Sequence, residues 1–327
     1  MNLYLPQYVA PIEDTLRAIG KALGMPTVPE WTPVLGPRRD QPMGPPEPVD
    51  GTCFFSGDTI EGRHFVNGTW VGLEHRIEQG PCQGATLRQL ILEACSKWAS
   101  RSYRMGPGNR IAACAFVNVT PEHAVYWNLR GTDPERAGFV LRNSLFLDIE
   151  SQAVQLVYRR QEQGFDFEAA GDGAPGGELV VADCLVRNAG WGIDDGNARA
   201  AFALSFFTTP HSSVRIVRTA VDKSMQAKSS GCLLVQAFPR AFVGSSAFLA
   251  GEDSRQPLAK FEGTRHVELR ACIFSGTSGQ TWVDFVNVGG AIVHGCRGNV
   301  RVHWNGQDVG AITETLFLGD AAGTDDP

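Results

Sequence analysis

Several common signatures are missing from this sequence, and each absence narrows the field. The formal net charge is only −6, and no long run of one sign occurs, so there is no electrostatic footprint for nucleic acid. No apolar run approaches the length of a membrane span. Residues 1–10 lack a basic segment followed by an apolar one, which predicts no secretory signal. The eight cysteines include no C-x-x-C pair, so zinc-ribbon and redox spacings are excluded and no metal is assigned. Without a signal, those cysteines are expected as free thiols in a reducing compartment.

Other features are abundant. An apolar share of 43% is enough for a sizeable core, and 37 glycines suit a fold with many turns. Ten of the 19 prolines fall in the first fifty residues, so composition shifts sharply near residue 50. This predicts an N-terminal arm over 1–50. Within it Ile12, Leu16, Ile19 and Leu23 share one face of a short amphipathic helix. Pro11, Glu13 and Asp14 suit its start, and Lys21, Gly24 and Pro26 its end. The arm reads either as a cap on its own domain or as a segment that docks on other subunits.

Beyond the arm a phrase recurs: apolar, any, apolar, two variable residues, a small Cys/Ser/Thr, any, then Phe or another apolar residue. Its clearest copies are 139–146 (FVLRNSLF), 179–186 (LVVADCLV), 214–221 (VRIVRTAV), 241–248 (AFVGSSAF) and 267–274 (VELRACIF). The small residues make a column: Cys95, Cys114, Ser144, Cys184, Thr219, Ser246, Cys272, Cys296 and Thr315. Successive gaps vary from 19 to 40 residues, as in a solenoid whose coils bury themselves against their neighbours and tolerate insertions.

The phrase also encodes shape. Apolar residues alternate with period two, as on a strand, and then restart in the opposite phase. That slip predicts a two-residue corner between two short strands, with the small residue stacked inside it. Phenylalanine two positions later is expected in a ladder through the core. A third strand follows in most coils, at 154–158, 202–207, 233–236, 282–286 and 300–304.

Three strands per coil and this corner phrase resemble the pectate-lyase-like superfamily over roughly 51–320, in repeat pattern alone. The resemblance implies an all-β, right-handed parallel β-helix of about nine to ten coils, with 321–327 as a tail. It also implies that ligands lie along the outer face of the strand that precedes the long loops, here the third strand. A leucine-rich repeat lacks its Leu/Asn consensus, and a β-sandwich would not need a fixed corner.

By alternation Val283, Phe285, Val300, Val302 and Trp304 face the core, and Trp282, Asp284, Arg301 and His303 face outward. Lys260 and Glu262 are expected to project the same way one coil earlier. Lys260, Asp284, Arg301 and His303 then form a polar patch beside Trp282, offering a base, cations and an aromatic for a sugar ring. An exposed strand face is polar in any case. Asp194 and Asp195 resemble the paired aspartates of polygalacturonase-type glycosidases, although Asp-Asp-Gly is also ordinary turn chemistry. The insertion 159–177 carries Asp166, Glu168 and Asp172, for which calcium is conceivable but a solvated loop is the simpler reading; no cofactor is expected.

Three functions remain open. One is a structural or assembly protein, such as a virion component docking through its arm onto other subunits as a homo-oligomer or in a larger assembly; this places it in the cytoplasm or in a particle. Another is a polysaccharide lyase or glycoside hydrolase acting on an acidic glycan. The last is a glycan-binding module without turnover. Neither nucleic acid nor membrane is expected as a partner.

Overall fold

The computed structural model describes residues 35–37, 43–68, 71–80, 82–103, 105–128, 138–157, 177–191, 202–207, 213–224, 226, 231–250, 257–276 and 281–319. The arm positions Ile12, Leu16, Ile19 and Leu23, the insertion residues 159–176, Asp194, Asp195 and the tail lie outside them.

Apart from one 3-10 turn at Ile77–Gln79, the regular elements among the described residues are strands. The chain visits three sheets in rotation, each taking every third strand. Sheet A begins with Pro46–Pro48, sheet B with Thr52–Cys53 and sheet C with Thr59–Glu61. Pairing is parallel until the C-terminal end, where Gln307–Ala311 and Leu316–Gly319 add antiparallel to sheets B and C. The result is an all-β, solenoid-like stack resembling a parallel β-helix. Pro46–Pro48 can form an edge strand because proline lacks only the donor that an edge leaves unused.

The recurring phrase is the corner from sheet C to sheet A. Asn143, Asp183, Arg218, Ser245 and Ala271 each adopt a positive φ near 50°, turning the chain from one sheet toward the next. Their N–H groups bond to the next coil, as from Asn143 to the Ala182 carbonyl at 3.1 Å and from Asp183 to the Val217 carbonyl at 3.1 Å. The small residue follows, buried inside. It does more than fit. Ser144 Oγ donates to the Arg142 carbonyl at 2.8 Å, Thr219 Oγ1 to Val217 at 3.1 Å, Ser246 Oγ to Gly244 at 2.9 Å and Cys184 Sγ to Ala182 at 3.2 Å. Each of these carbonyls therefore receives one donor from a neighbouring coil and a second from its own corner.

The aligned column runs through Leu90, Cys114, Ser144, Cys184, Thr219, Ser246, Cys272 and Cys296, the residues that immediately precede paired strands of sheet A. Two expected members are corrected. Cys95 follows Ile91–Glu93 and lies at the opposite end of sheet A, where its carbonyl accepts from Thr120 at 3.1 Å. Thr315 is exposed and precedes the antiparallel strand Leu316–Gly319. Both share the small-residue chemistry without the corner, and they alone produced the 19-residue gaps. Along this column the shortest spacings are 24 residues, from Leu90 to Cys114 and from Cys272 to Cys296.

The expected ladder forms in part from phenylalanines. Phe116 stacks on Phe146 at 4.8 Å and Phe248 on Phe274 at 5.2 Å, while Val186 and Val221 carry the register between these pairs. Nearly all inward side chains join one apolar cluster from Val49 to Ile312. On the outer side of sheet A a second apolar row, including Leu145, Leu185 and Ala247, is packed by Leu35 and Met43. There Gly36 donates its N–H to the Asn143 carbonyl at 2.8 Å. No helix among the described residues is long and apolar enough to cross a membrane.

Cys53 is half-buried and the other seven thiols are buried. Burial pushes Cys82, Cys95, Cys114, Cys184 and Cys232 up to about 12. A thiol reagent is therefore expected to titrate one thiol in the native protein and all eight after unfolding. Rapid labelling of Cys114 or Cys184 in the folded state would contradict the inward column.

Candidate functional site

Long connections flank sheet B on both sides: 129–138 and 158–177 leave it, and 190–203, 223–232 and 250–258 enter it. Its strands are thus the ones bordered in sequence by the longest connections. The alternation read from the sequence holds here. Val283, Phe285, Val300 and Val302 are buried, Trp304 packs partly buried against the core, and Trp282, Asp284, Arg301 and His303 alternate outward.

Parallel register brings the outward residues together. Lys260 on Ala259–Glu262 pairs with Asp284 on Trp282–Val286, which pairs with His303 on Arg301–Trp304. Trp282 pairs with Arg301 and stacks diagonally on His303, with ring centroids 5.5 Å apart and planes 21° off parallel. The four polar residues and the tryptophan of the expected patch therefore share one face in three consecutive coils.

The charges are not free in the expected way. Lys260 Nζ lies 3.2 Å from Glu262 Oε2. Arg301 Nε donates to both carboxylate oxygens of Asp308, at 2.9 and 3.1 Å. Asp308 sits on the antiparallel strand that the repeat pattern did not anticipate, and the Arg301 guanidinium holds its carboxyl below the usual range. Asp284 differs. It is half-buried, and its Oδ1 is buried without a hydrogen-bond partner. Desolvation holds its pKa up, against the opposing pull of Lys260 and His303. The arrangement offers a carboxyl that gains a proton more readily than usual, beside an imidazole and a stacked aromatic surface. Such a set can exchange hydrogen bonds with hydroxyl groups and cover the apolar face of a ring.

A further histidine, His294, lies on a different sheet. It is exposed at the end of Gly290–His294 in sheet C, with Nδ1 3.3 Å from Thr315 Oγ1. Among the described residues no group of three or more His, Cys, Asp or Glu side chains is gathered as for a metal. Sequence reasoning missed a second set on the same sheet, around Arg101. Extending the third-strand pattern back to Trp98–Ser102 would have found it, because Arg101 is in register with Tyr126 in the next coil.

Fold and surface define a class: an all-β solenoid with a carboxylate–cation–aromatic row on one outer sheet. Compared with known proteins, the chain matches no family model, no curated protein and no solved structure.

The raised pKa of Asp284 has a definite consequence for stability. Its contribution is fully present below the ordinary carboxyl value of 3.8 and is lost as the pH climbs through the raised folded value. Asp284→Asn is therefore expected to resist denaturant better than the parent at pH 7, with the advantage vanishing below about pH 3.8. Denaturation midpoints of both proteins at the two pH values check this; equal midpoints at pH 7 contradict it.

Proposed function

We propose that the protein is a stiff solenoid whose sheet B face contacts a glycan without turning it over. The observation that carries this reading is the alignment of Lys260, Asp284 and His303 in consecutive coils, with Trp282 stacked on His303. Sugars present hydroxyl edges and apolar faces together, and this row meets both with a half-buried carboxyl and an aromatic plane. The continuous parallel stack supports a pectate-lyase-like helix of nine to ten coils. Its winding is taken as right-handed, by the general rule for crossovers between parallel strands. Fold alone leaves the activity open.

Calorimetric titration with neutral and uronate oligosaccharides tests the reading. Trp282→Ala and Asp284→Asn are each expected to weaken binding by roughly tenfold, the scale of one lost aromatic or charge-assisted contact. Absence of binding to any of the sugars sinks the proposal. New reducing ends or 4,5-unsaturated products that disappear in Asp284→Asn and His303→Ala would replace it with a polysaccharide lyase or glycoside hydrolase.

A second reading is assembly, and one observation favours it. The described end of the arm is fastened along the outer face of sheet A through Gly36, Leu35 and Met43. A docking element within residues 1–34 would then be held at a set place on a rigid body. We propose that these residues, with Ile12, Leu16, Ile19 and Leu23, join the protein to further copies or to a virion-type particle. Removing 1–34 is expected to reduce the solution mass measured by light scattering to that of one chain. A parent that is already monomeric, or an assembly that survives the deletion, refutes this.

A further inference from the structure

The outward row of sheet B continues from Lys260 toward the N-terminal coils through Leu234, Ser205, Gln155 and Tyr126 to Arg101. Five strand steps place Arg101 about 24 Å from Lys260 along the sheet. Between them Ser205 and Leu234 are buried, so the row is accessible at two separate stations.

At the second station the Arg101 guanidinium lies between two rings. Its central carbon is 3.9 Å from the ring centroid of Trp98 and 3.8 Å from that of Tyr103. Tyr126 stands 6.1 Å from Trp98 and stacks on His123, with centroids 5.4 Å apart and planes 18° off parallel. Burial pushes the His123 pKa down to about 3, so the ring is neutral. Its Nδ1 accepts from the Gln152 N–H at 3.3 Å, which leaves the proton on Nε2, facing Glu122 at 3.4 Å. The frame is aromatic, and its histidine carries no charge.

Glu74 and Glu122 lie near enough to attract the cation inside the frame, but neither is paired with it. Glu74, its neighbour in register, accepts from Arg76 at 3.1 Å, and Glu122 faces His123. No ion pair ties Arg101 among the described residues, and its Nε is buried without a hydrogen-bond partner. Contact with two rings strips water from the guanidinium and restricts its motion, leaving its N–H groups as the donors that can bind. A planar fork of donors, held between rings and without an ion-pair partner, matches the two oxygens of a carboxylate.

We propose that Arg101, framed by Trp98 and Tyr103, is a second ligand station that binds the carboxylate of an acidic sugar. The choice of a sugar rests on the glycan reading of sheet B; the anion site rests on Arg101 itself. The Trp282 station, whose cations already have carboxylate partners, then contacts the ring, and Arg101 supplies the preference for acid.

The test is calorimetry with octagalacturonate, long enough to reach both stations, and with its fully methyl-esterified form, on the full chain. The parent is expected to bind the acid at least tenfold more tightly than the ester. Arg101→Gln should bring the acid down to the affinity of the ester and leave the ester unchanged. Arg101→Lys, which keeps the charge and loses the fork, should recover only a small part of the preference. Trp282→Ala should weaken acid and ester alike. Equal affinity of the parent for acid and ester, or an acid preference that survives Arg101→Gln, overturns the proposal. Loss of acid preference in Arg101→Gln alongside unchanged binding in Trp282→Ala retains the Arg101 station and removes the first one. Thermal unfolding of each variant confirms that it is folded.

Discussion

The structure depends on what happens to one carbonyl at each turn from sheet C to sheet A. The chain must change direction within two residues while adjacent coils stay bonded. A positive φ accomplishes the turn, and the N–H at that position still reaches the next coil. The carbonyl just before it therefore sits at a bend, part-buried or buried at the edge of the core. A buried carbonyl with an idle lone pair is costly in such surroundings. The hydroxyl or thiol two residues later supplies the second donor. Alanine would fit the space and leave that lone pair unused; leucine, at Leu90, is tolerated in the column near the N-terminal end.

This corner also explains the tolerance for insertions. With the C-to-A turn held at two residues, register is reset once per coil, whatever happens on either side of sheet B. Connections of widely different length then attach to a frame that does not shift. Outward residues of sheet B fall into rows because the frame sets them there, and Phe202 and Phe207 pack with Leu234 on that face. Lys260, Asp284 and His303 are accessible or half-buried in the last coils, whereas Ser205 and Leu234 in the same row are buried.

The two stations differ in how their charge is handled. Near the C-terminal end, Glu262 and Asp308 neutralise the cations, and Asp284 is left as the carboxyl with a raised pKa. Near the N-terminal end the carboxylates turn to other partners, and Arg101 is left as a cation between rings. One face thus carries a proton-accepting carboxyl and a fixed guanidinium, separated by a closed stretch. Neither is needed for the stack, whose stability comes from the inward faces.

Much of this was legible in the amino acids because the corner is local and repeats. Eight consecutive residues contain both flanking strands, the phase slip and the small donor, so copies such as 267–274 announce themselves, and alternation then orients Trp282, Asp284 and His303. The same locality misled at Cys95 and Thr315, where a small residue between apolar neighbours lacks the turn that gives it meaning. The partners of Lys260 and Arg301, the burial of Ser205 and the ring frame around Arg101 were decided only by the tertiary structure. Each depends on which side chains from different coils reach one another across insertions of unequal length, and no spacing along the chain records that distance.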